Sequence, residues 1–145
     1  MYAKKGIQAY KRDSISADLA EATPHRVIQL LMQGVLEKTA QGKGFIERRD
    51  IEGKAEALSK ASAIINALRG SLDREFNPEL CDNLESLYDY MIGLIAEASV
   101  TMNVEKLEEV IKLMLTIKSA WDQISEEDKQ LSEQMRYERQ AAVSE

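Results

Sequence analysis

Apolar residues recur at helical spacing in four consecutive segments of this chain, and this repeat narrows the possible folds more than any other feature. In the clearest segment, Leu58, Ala61, Ile65, Leu68 and Leu72 follow one another at intervals of three or four residues. That spacing puts all five side chains on one face of an α-helix. Because a helix with one apolar face has to bury it against another element, the sequence predicts helices packed on one another.

Three further segments show the same repeat. The first runs from Pro24 to about Arg49, and the third follows Asn77-Pro78. The fourth follows a break at Ser99 to Asn103, where Asn103 is the expected cap. Thr23-Pro24 is typical of a helix start, because Thr can cap free amide groups and Pro needs no amide partner in the first turn. Asp50 to Gly53 is the expected turn after the first helix. Four stripes with short connections predict an all-α fold, an antiparallel up-down four-helix bundle.

The large apolar residues on these stripes are expected to form the core of the bundle. They are Leu58, Ile65, Leu68, Leu84, Met91, Ile111, Met114 and Trp121.

The two ends of the chain lack this strong periodicity. Residues 1–20 are polar between a few apolar positions, which predicts a mobile N-terminal arm. Residues 21–124 are the expected bundle domain. In residues 125–145 the apolar positions are sparse and acids outnumber bases, which predicts a helical or frayed acidic tail.

Composition argues against several classes of function. One histidine and one cysteine, His25 and Cys81, cannot supply a Cys/His zinc site or the two Glu-x-x-His pairs of a di-iron bundle, and the glycines form no phosphate-binding motif. No cofactor or metal is therefore expected. A formal net charge of −6 disfavours nucleic acid as a partner. No secretory leader or membrane span is visible, so a cytoplasmic protein without membrane insertion is expected.

His25 and Cys81 each have a simple interpretation. Cys81 is expected to be a small buried apolar residue. His25, in the first turn of the first helix, is expected to be solvated. The alternative is a histidine phosphotransfer bundle, but such sites resemble His-x-x-Lys-Gly, and Ile28 and Gln29 stand at those offsets here.

Several segments, in order, resemble the flagellin-export chaperones of the FliS family. The first helix contributes Thr23 to Gly34, and the turn and second helix contribute Asp50-Ile51-Glu52, Lys60-Ala61, Ile64-Ile65 and Ser71-Leu72-Asp73. The strongest match is Asn83-Leu84-Glu85-Ser86-Leu87-Tyr88-Asp89-Tyr90-Met91, and Glu109-Val110 with Ala120-Trp121 fits the last core helix. The resemblance covers about residues 7–124 and leaves the tail unexplained.

The chain departs from the family pattern at three places. Met32-Gln33-Gly34 stands where many members have Tyr-Asp-Gly, Gly93-Leu94 where they have Arg-Arg, and Ser99-Val100 where Asn-Leu is usual. These departures limit the transfer of individual residue roles in the first and third helices.

The resemblance implies a non-enzymatic cytoplasmic chaperone. It would bind the C-terminal segment of flagellin, prevent premature polymerisation and deliver the subunit to the flagellar type III export apparatus. The export gate and a regulatory protein are further possible partners, and the chain would be a monomer or a weak homodimer. The alternative is a general helical adaptor with an undefined partner.

Five residues are candidates for client binding or for shielding the client's groove. Ile7 and Tyr10 lie three residues apart, so they would share a face in a helical turn, and the resemblance implies that the arm covers a surface which the client also uses. Fixed packing of the arm is the alternative. Ile28, Met32 and Tyr90 are apolar residues off the main stripes and are expected at the groove, with a purely structural role as the alternative.

Overall fold

Five α-helices make up the part of the chain that the computed structural model describes, residues 23–75, 77–124 and 126–144. They are α1 (Pro24–Glu47), α2 (Ile51–Gly70), α3 (Pro78–Thr101), α4 (Val104–Asp122) and α5 (Glu126–Ser144). Those residues contain no strand, so the predicted all-α fold is confirmed. The predicted arm with Ile7 and Tyr10 lies outside them.

Packing divides the chain into two compact units, and Gln29–Ile124 forms the larger one. It contains α2, α3, α4 and nearly all of α1. The other unit includes the first turn of α1 and the helix α5.

Polar side chains cap the starts of the first four helices; at α1 the Thr23 hydroxyl accepts from the Arg26 amide at 3.2 Å, as predicted. The Asp50 carboxylate accepts a hydrogen bond from the Gly53 amide at 2.9 Å, Asn77 from Leu80 at 3.1 Å, and Asn103 from Glu105 at 2.9 Å. These side chains satisfy amides that have no partner inside the helix. The caps therefore fix where α2, α3 and α4 begin.

The predicted break at Ser99 to Asn103 is shorter in the structure, because α3 continues to Thr101. Met102 ends the helix with a left-handed backbone (φ 57°), and Asn103 already caps α4. Lys54 explains why the last turn of α3 persists. Its ammonium, on a side chain that is 9% exposed, donates to the Ser99 carbonyl at 2.8 Å and satisfies an acceptor at the helix end.

Side-chain pairs show that α3 runs antiparallel to both α2 and α4. The end of α2 meets the start of α3 through Arg69 and Glu85 (2.7 Å), whereas Lys54 at the start of α2 meets the end of α3. Between α3 and α4, Tyr90 pairs with Glu109 (2.6 Å) and Glu97 with Lys106 (2.8 Å).

The first helix closes the bundle by pairing with the last one. Gln29 donates to Asp122 at 2.8 Å, and Lys43, about four turns further along α1, pairs with Glu108 at 3.1 Å. On its other side α1 lies close to α2, because a methyl group added at Gly42 would come within 2.3 Å of the Leu58 side chain. Each of the helices α1 to α4 thus has two antiparallel neighbours, and the predicted up-down four-helix bundle is confirmed.

Most of the predicted core is buried, with three exceptions. Leu58, Ile65, Leu68, Met91 and Met114 are at most 2% exposed. Leu84, Ile111 and Trp121 are only half-buried, so the expectation for these three is wrong. Leu84 and Trp121 lie towards one end of the bundle, where the seam between α3 and α4 is open to solvent.

The tail is a regular helix over Glu126–Ser144, which is one of the two forms predicted for it. Its apolar side chains are exposed; they are Leu131, Met135, Tyr137 and Val143. The boundaries proposed for the arm, the bundle domain and the tail remain predictions.

Candidate binding surface

The surface between α3 and α4, here called the α3–α4 groove, combines exposed apolar residues with one fixed polar cluster. We assign to it Leu80, Leu84, Leu87 and Tyr90 on α3 and Glu109, Leu113, Ile117 and Trp121 on α4, all of which are exposed or half-buried.

The apolar residues along the contact between α3 and α4, here called the seam, become more exposed to solvent from one end of the bundle to the other. The pairs Tyr90–Glu109 and Glu97–Lys106 fix the register of α3 against α4. In that register Met91 lies level with Val110, and both are 0% exposed. Two helical turns closer to the start of α3, Leu84 and the Ile117 side chain level with it on α4 are half-buried.

The exposure is greatest at the end of the seam. Leu80 is 51% exposed, and Trp121, which lies level with it on α4, is half-buried. Leu80 and Leu87 are seven residues apart, so this open part extends for about 10 Å along the helix. Exposed apolar surface of this shape, with polar residues around it, is typical of a site for an amphipathic helix.

The other end of the groove holds a polar cluster around Tyr90. The Tyr90 hydroxyl donates to a Glu109 carboxylate oxygen at 2.6 Å while the side chain remains 49% exposed. This hydrogen bond is the main reason that the pKa of Tyr90 is raised, and the charges of Glu109 and Glu97 raise it further. The pKa of Lys106 is also raised, chiefly by its hydrogen bond to Glu97. Burial also raises the pKa of Tyr90, whereas the nearby Lys106 ammonium lowers it, so the cluster contains charges of both signs.

Gly93 is exposed and follows Tyr90 by three residues, but it is nine residues from Leu84 and therefore faces away from the seam. An added Cβ there would have no atom within 4 Å among its neighbours. Glycine costs about 1 kcal/mol relative to alanine in a helix interior. Nothing in the described residues uses the space that this glycine leaves open.

The three predicted site residues that lie within the described part of the chain differ in exposure. Met32 is 2% exposed, so it belongs to the core, and the expectation that it lies at a groove is wrong in this structure. Its place on α1 explains the burial, since α1 packs against two helices. Tyr90 is exposed as expected, but it lies on α3, which is not a neighbour of α1. Ile28 is half-buried in the smaller unit. A role in client binding remains a prediction for each of them.

The two residues singled out for chemistry are both buried. His25 is 7% exposed, so the expectation of a solvated histidine is wrong, and a phosphotransfer histidine would have to be accessible to its donor. Cys81 is 6% exposed, and its sulfur lies 3.3 Å from the Asp73 carbonyl oxygen. It behaves as a small buried residue, as predicted.

The open seam between α3 and α4 was not predicted from the sequence. Leu80 and Trp121 follow the same repeat as the buried core residues, so periodicity cannot separate them. Gly93 is recognisable in the sequence, since it is a glycine inside a segment that is otherwise strongly helical.

Membrane-spanning helices and metal-ligand clusters are both missing from the described residues. No helix among them has the length and hydropathy required to cross a bilayer. In the same ranges, no group of three or more His, Cys, Asp or Glu side chains is arranged as metal ligands.

Comparison with known proteins places this geometry in context. The family model described as flagellar protein FliS matches residues 6–128. The flagellar secretion chaperone FliSB of Pseudomonas aeruginosa is 47% identical over 125 residues, 86% of this chain and 99% of the relative. The flagellar secretion chaperone FliS of Salmonella typhimurium is 40% identical over 126 residues, 86% of this chain and 93% of the relative.

The fold also has a counterpart among solved structures. The crystal structure of a bacterial flagellar chaperone matches with a TM-score of 0.65 and 18% sequence identity, covering 81% of this chain and 94% of the other. At that identity the match supports the helical architecture alone.

Proposed function

The chain belongs to the FliS family of flagellar secretion chaperones, and we propose that its client is flagellin, bound through flagellin's C-terminal segment. The observation that carries this proposal is the family match over residues 6–128, which includes the whole four-helix bundle. Relatives at 40–47% identity over more than four-fifths of the chain carry the name flagellar secretion chaperone.

The α3–α4 groove supports this proposal physically. A client segment that polymerises through apolar faces has to be covered until export. An amphipathic helix of the client would place its i, i+3, i+4 and i+7 residues against the open seam of Leu80, Leu84 and Ile117. Covering the client in this way prevents premature polymerisation.

The N-terminal arm would act on the same surface. Ile7 and Tyr10 would shield the client groove when flagellin is absent, and Ile28 would contribute on α1. The pair Gln29–Asp122 supports this proposal, because it places Gln29, the first α1 residue of the larger unit, at the end of α4 where the seam is open. The client would then displace the arm on binding.

Delivery follows because the client is held covered but unfolded enough to be exported. The complex would act in the cytosol and pass flagellin to the flagellar type III export apparatus, with the export gate and a regulatory protein as further partners. The role needs a binding surface and no catalytic group, so the chain would act without enzymatic activity.

A direct binding experiment tests the proposal. The purified full chain is mixed with the C-terminal segment of the cognate flagellin and analysed by size-exclusion chromatography with light scattering. We expect a 1:1 complex, and isothermal titration should give a micromolar or lower Kd. A flagellin segment lacking its C-terminal residues is the matched control. If the intact segment elutes alone, the proposal is wrong.

A further inference from the structure

A small cavity lies on the outer side of the contact between α1 and α2. Its volume of about 150 Å³ is roughly ten times what one water molecule needs. The cavity, here called the α1–α2 pocket, is lined by Lys38, Gln41 and Phe45 of α1 and by Gly53, Glu56, Ala57 and Lys60 of α2. It is open to solvent, since the Gln41, Glu56 and Lys60 side chains on its walls are exposed.

The register of the two helices sets Lys38 against Lys60. A Cβ at Gly34 would lie 3.1 Å from the Ile64 side chain, so these two residues stand side by side on α1 and α2. In antiparallel helices, four residues forward on one helix match four residues back on the other. Lys38 and Lys60 therefore lie level with each other on opposite walls of the pocket.

The positive charge of these two lysines is only partly compensated. Like charges that face each other repel, so this arrangement opposes folding of the free chain. Lys60 pairs with Glu56 on its own helix at 3.0 Å. Lys38 is half-buried, and its ammonium donates to the neutral Gln41 amide oxygen at 3.3 Å and, within the described residues, to no carboxylate.

The rest of the α1 wall adds a further cation. Arg48 lies over the Phe45 ring, with its guanidinium carbon 5.0 Å from the ring centroid. The two acids of α1, Glu37 and Glu47, each pair with another side chain of α1. In a chain with a formal net charge of −6, a locally positive pocket of this kind indicates an anionic ligand.

We propose that the α1–α2 pocket binds a carboxylate side chain, glutamate or aspartate, that an acidic segment of a partner protein presents. The carboxylate lies between the ammonium groups of Lys38 and Lys60 and accepts a charge-assisted hydrogen bond from each. The carbon atoms that carry it pack against Phe45, Gly53 and Ala57. This apolar wall favours a carboxylate on a peptide over a free phosphate ion, which has no carbon to bury.

The pair between Lys60 and Glu56 is compatible with such a ligand. An ammonium group has three donors, so Lys60 can keep its bond to Glu56 and still donate to a second carboxylate. Lys38 gains its first carboxylate partner when the ligand binds.

The α1–α2 pocket and the α3–α4 groove lie on opposite sides of the bundle. α1 and α3 are each packed against both α2 and α4, so the α1–α2 contact faces away from the α3–α4 contact. The chain can therefore hold a client in the groove and an acidic partner in the pocket at the same time. The inference goes beyond the proposed function and does not depend on the identity of the client.

Two designed helical peptides test the pocket with the full chain. One carries glutamate at positions i, i+4 and i+7, and the other carries glutamine there. In an isotope-labelled chain at low salt, the glutamate peptide should shift the amide resonances of Gly53 and Ala57 and bind about tenfold more tightly than the glutamine peptide. Equal affinities, or shifts confined to α3 and α4, would contradict the inference.

Substitutions in the chain locate the effect. Lys38→Gln and Lys60→Gln should each weaken the glutamate peptide by about fivefold or more. Lys112→Gln, which removes an exposed lysine of α4, is the matched control and should retain the affinity. An equal loss in Lys112→Gln would show general charge attraction and overturn the inference.

The thermal stability of Lys38→Gln separates a ligand site from a structural role. Its Tm should equal that of the wild type or exceed it by about 1–2 °C, because the repulsion between Lys38 and Lys60 is removed. A lower Tm would show that Lys38 stabilises the bundle and would contradict its assignment to the pocket's ligand.

Inorganic phosphate distinguishes the kind of anion. At equal ionic strength, phosphate should displace the glutamate peptide no more than sodium chloride does. Stronger displacement by phosphate would identify a phosphate site and overturn the inference.

The flagellin segment separates this inference from the proposed function. Lys38→Gln should bind flagellin within about twofold of the wild type, because the groove lies on the other side of the bundle. If flagellin binds but the peptides do not discriminate, the pocket is wrong and the chaperone role stands. If flagellin fails to bind while the peptides discriminate as expected, the client is wrong and the pocket stands.

Discussion

Tyr88 and Tyr90 lie two residues apart on α3 and differ in what raises the pKa of each phenol. Tyr88 is 2% exposed, and burial raises its pKa to about 12 because the charged phenolate is poorly solvated there. Tyr90 is half-exposed, and its pKa is raised mainly by the hydrogen bond to Glu109. The two residues therefore link pH to different properties, folding in one case and the binding surface in the other.

Alkaline unfolding should report the burial of Tyr88. Between about pH 10 and pH 12 the unfolded phenol loses its proton and the folded one keeps it, so stability is present below this window and falls as pH rises through it. The free energy of unfolding should fall by up to about 2–3 kcal/mol from this residue.

Urea denaturation at several pH values measures this loss. Tyr88→Phe should remove the corresponding part of the pH dependence, and Tyr137→Phe, which changes an exposed tyrosine of α5, should not. An unchanged alkaline slope in Tyr88→Phe would show that burial of Tyr88 does not control it.

Residue-level prediction succeeded where one pattern has one structural meaning. Leu58, Ile65 and Leu68 sit at the centre of a clear stripe and are buried. Met32 was assigned to the surface and is buried, because the first helix has two neighbours and its buried face is wider than a single stripe. Such width depends on which helices adjoin, which is tertiary information.

At the scale of elements, the contact between α1 and α2 depends on two glycines. A Cβ at Gly42 would lie 2.3 Å from Leu58, which is itself buried, and one at Gly53 would lie 2.5 Å from the Phe45 ring. The glycines cost helix propensity, but they allow these helices to approach closely.

Paired alanine substitutions should separate propensity from packing. Gly42→Ala should destabilise the chain by about 1–3 kcal/mol, because the clash with Leu58 outweighs the gain in propensity. Gly93→Ala should stabilise it by about 0.5–1 kcal/mol, since no atom is in the way. Chemical denaturation measures both, and a stabilised Gly42→Ala variant would contradict the close packing.

Element boundaries were predicted well where a cap is written in the sequence. Asn103 caps α4 as expected, and Asn77-Pro78 opens α3. The end of α3 was placed too early because its persistence depends on Lys54, 45 residues away along the chain. A contact at that separation leaves no local signal.

At the scale of the whole bundle, charge is divided between two helix pairs. Residues 29–70 carry seven basic and five acidic residues, whereas residues 78–122 carry three and nine. The fold class followed from the four stripes, but this division became a surface property only once α3 and α4 were known to be neighbours. The α3–α4 groove could not be predicted for the same reason, since it depends on the register between two helices.

Removing the tail should leave the bundle intact. The family match ends at residue 128, and Gln29–Ile124 forms a compact unit of its own. A chain that ends after Ser125 should keep its flagellin affinity within about twofold and its Tm within about 3 °C, while losing helical circular dichroism. A chain shortened only by Ser144 and Glu145 is the control. A large loss of affinity would assign the tail to client binding.

The pairing of the first helix with the last has a mechanical consequence. Gln29 and Asp122 join α1 to α4 at one end of the bundle, and Lys43 and Glu108 join them towards the other. A force that pulls α1 and α4 apart at the end of the bundle that holds Gln29 and Asp122 would load the two pairs one after another, as in unzipping. It would not load them together, as in shear. The bundle would therefore open from the Gln29–Asp122 end, and α1 would peel away from α4 before the contacts of α3 with its neighbours came under load.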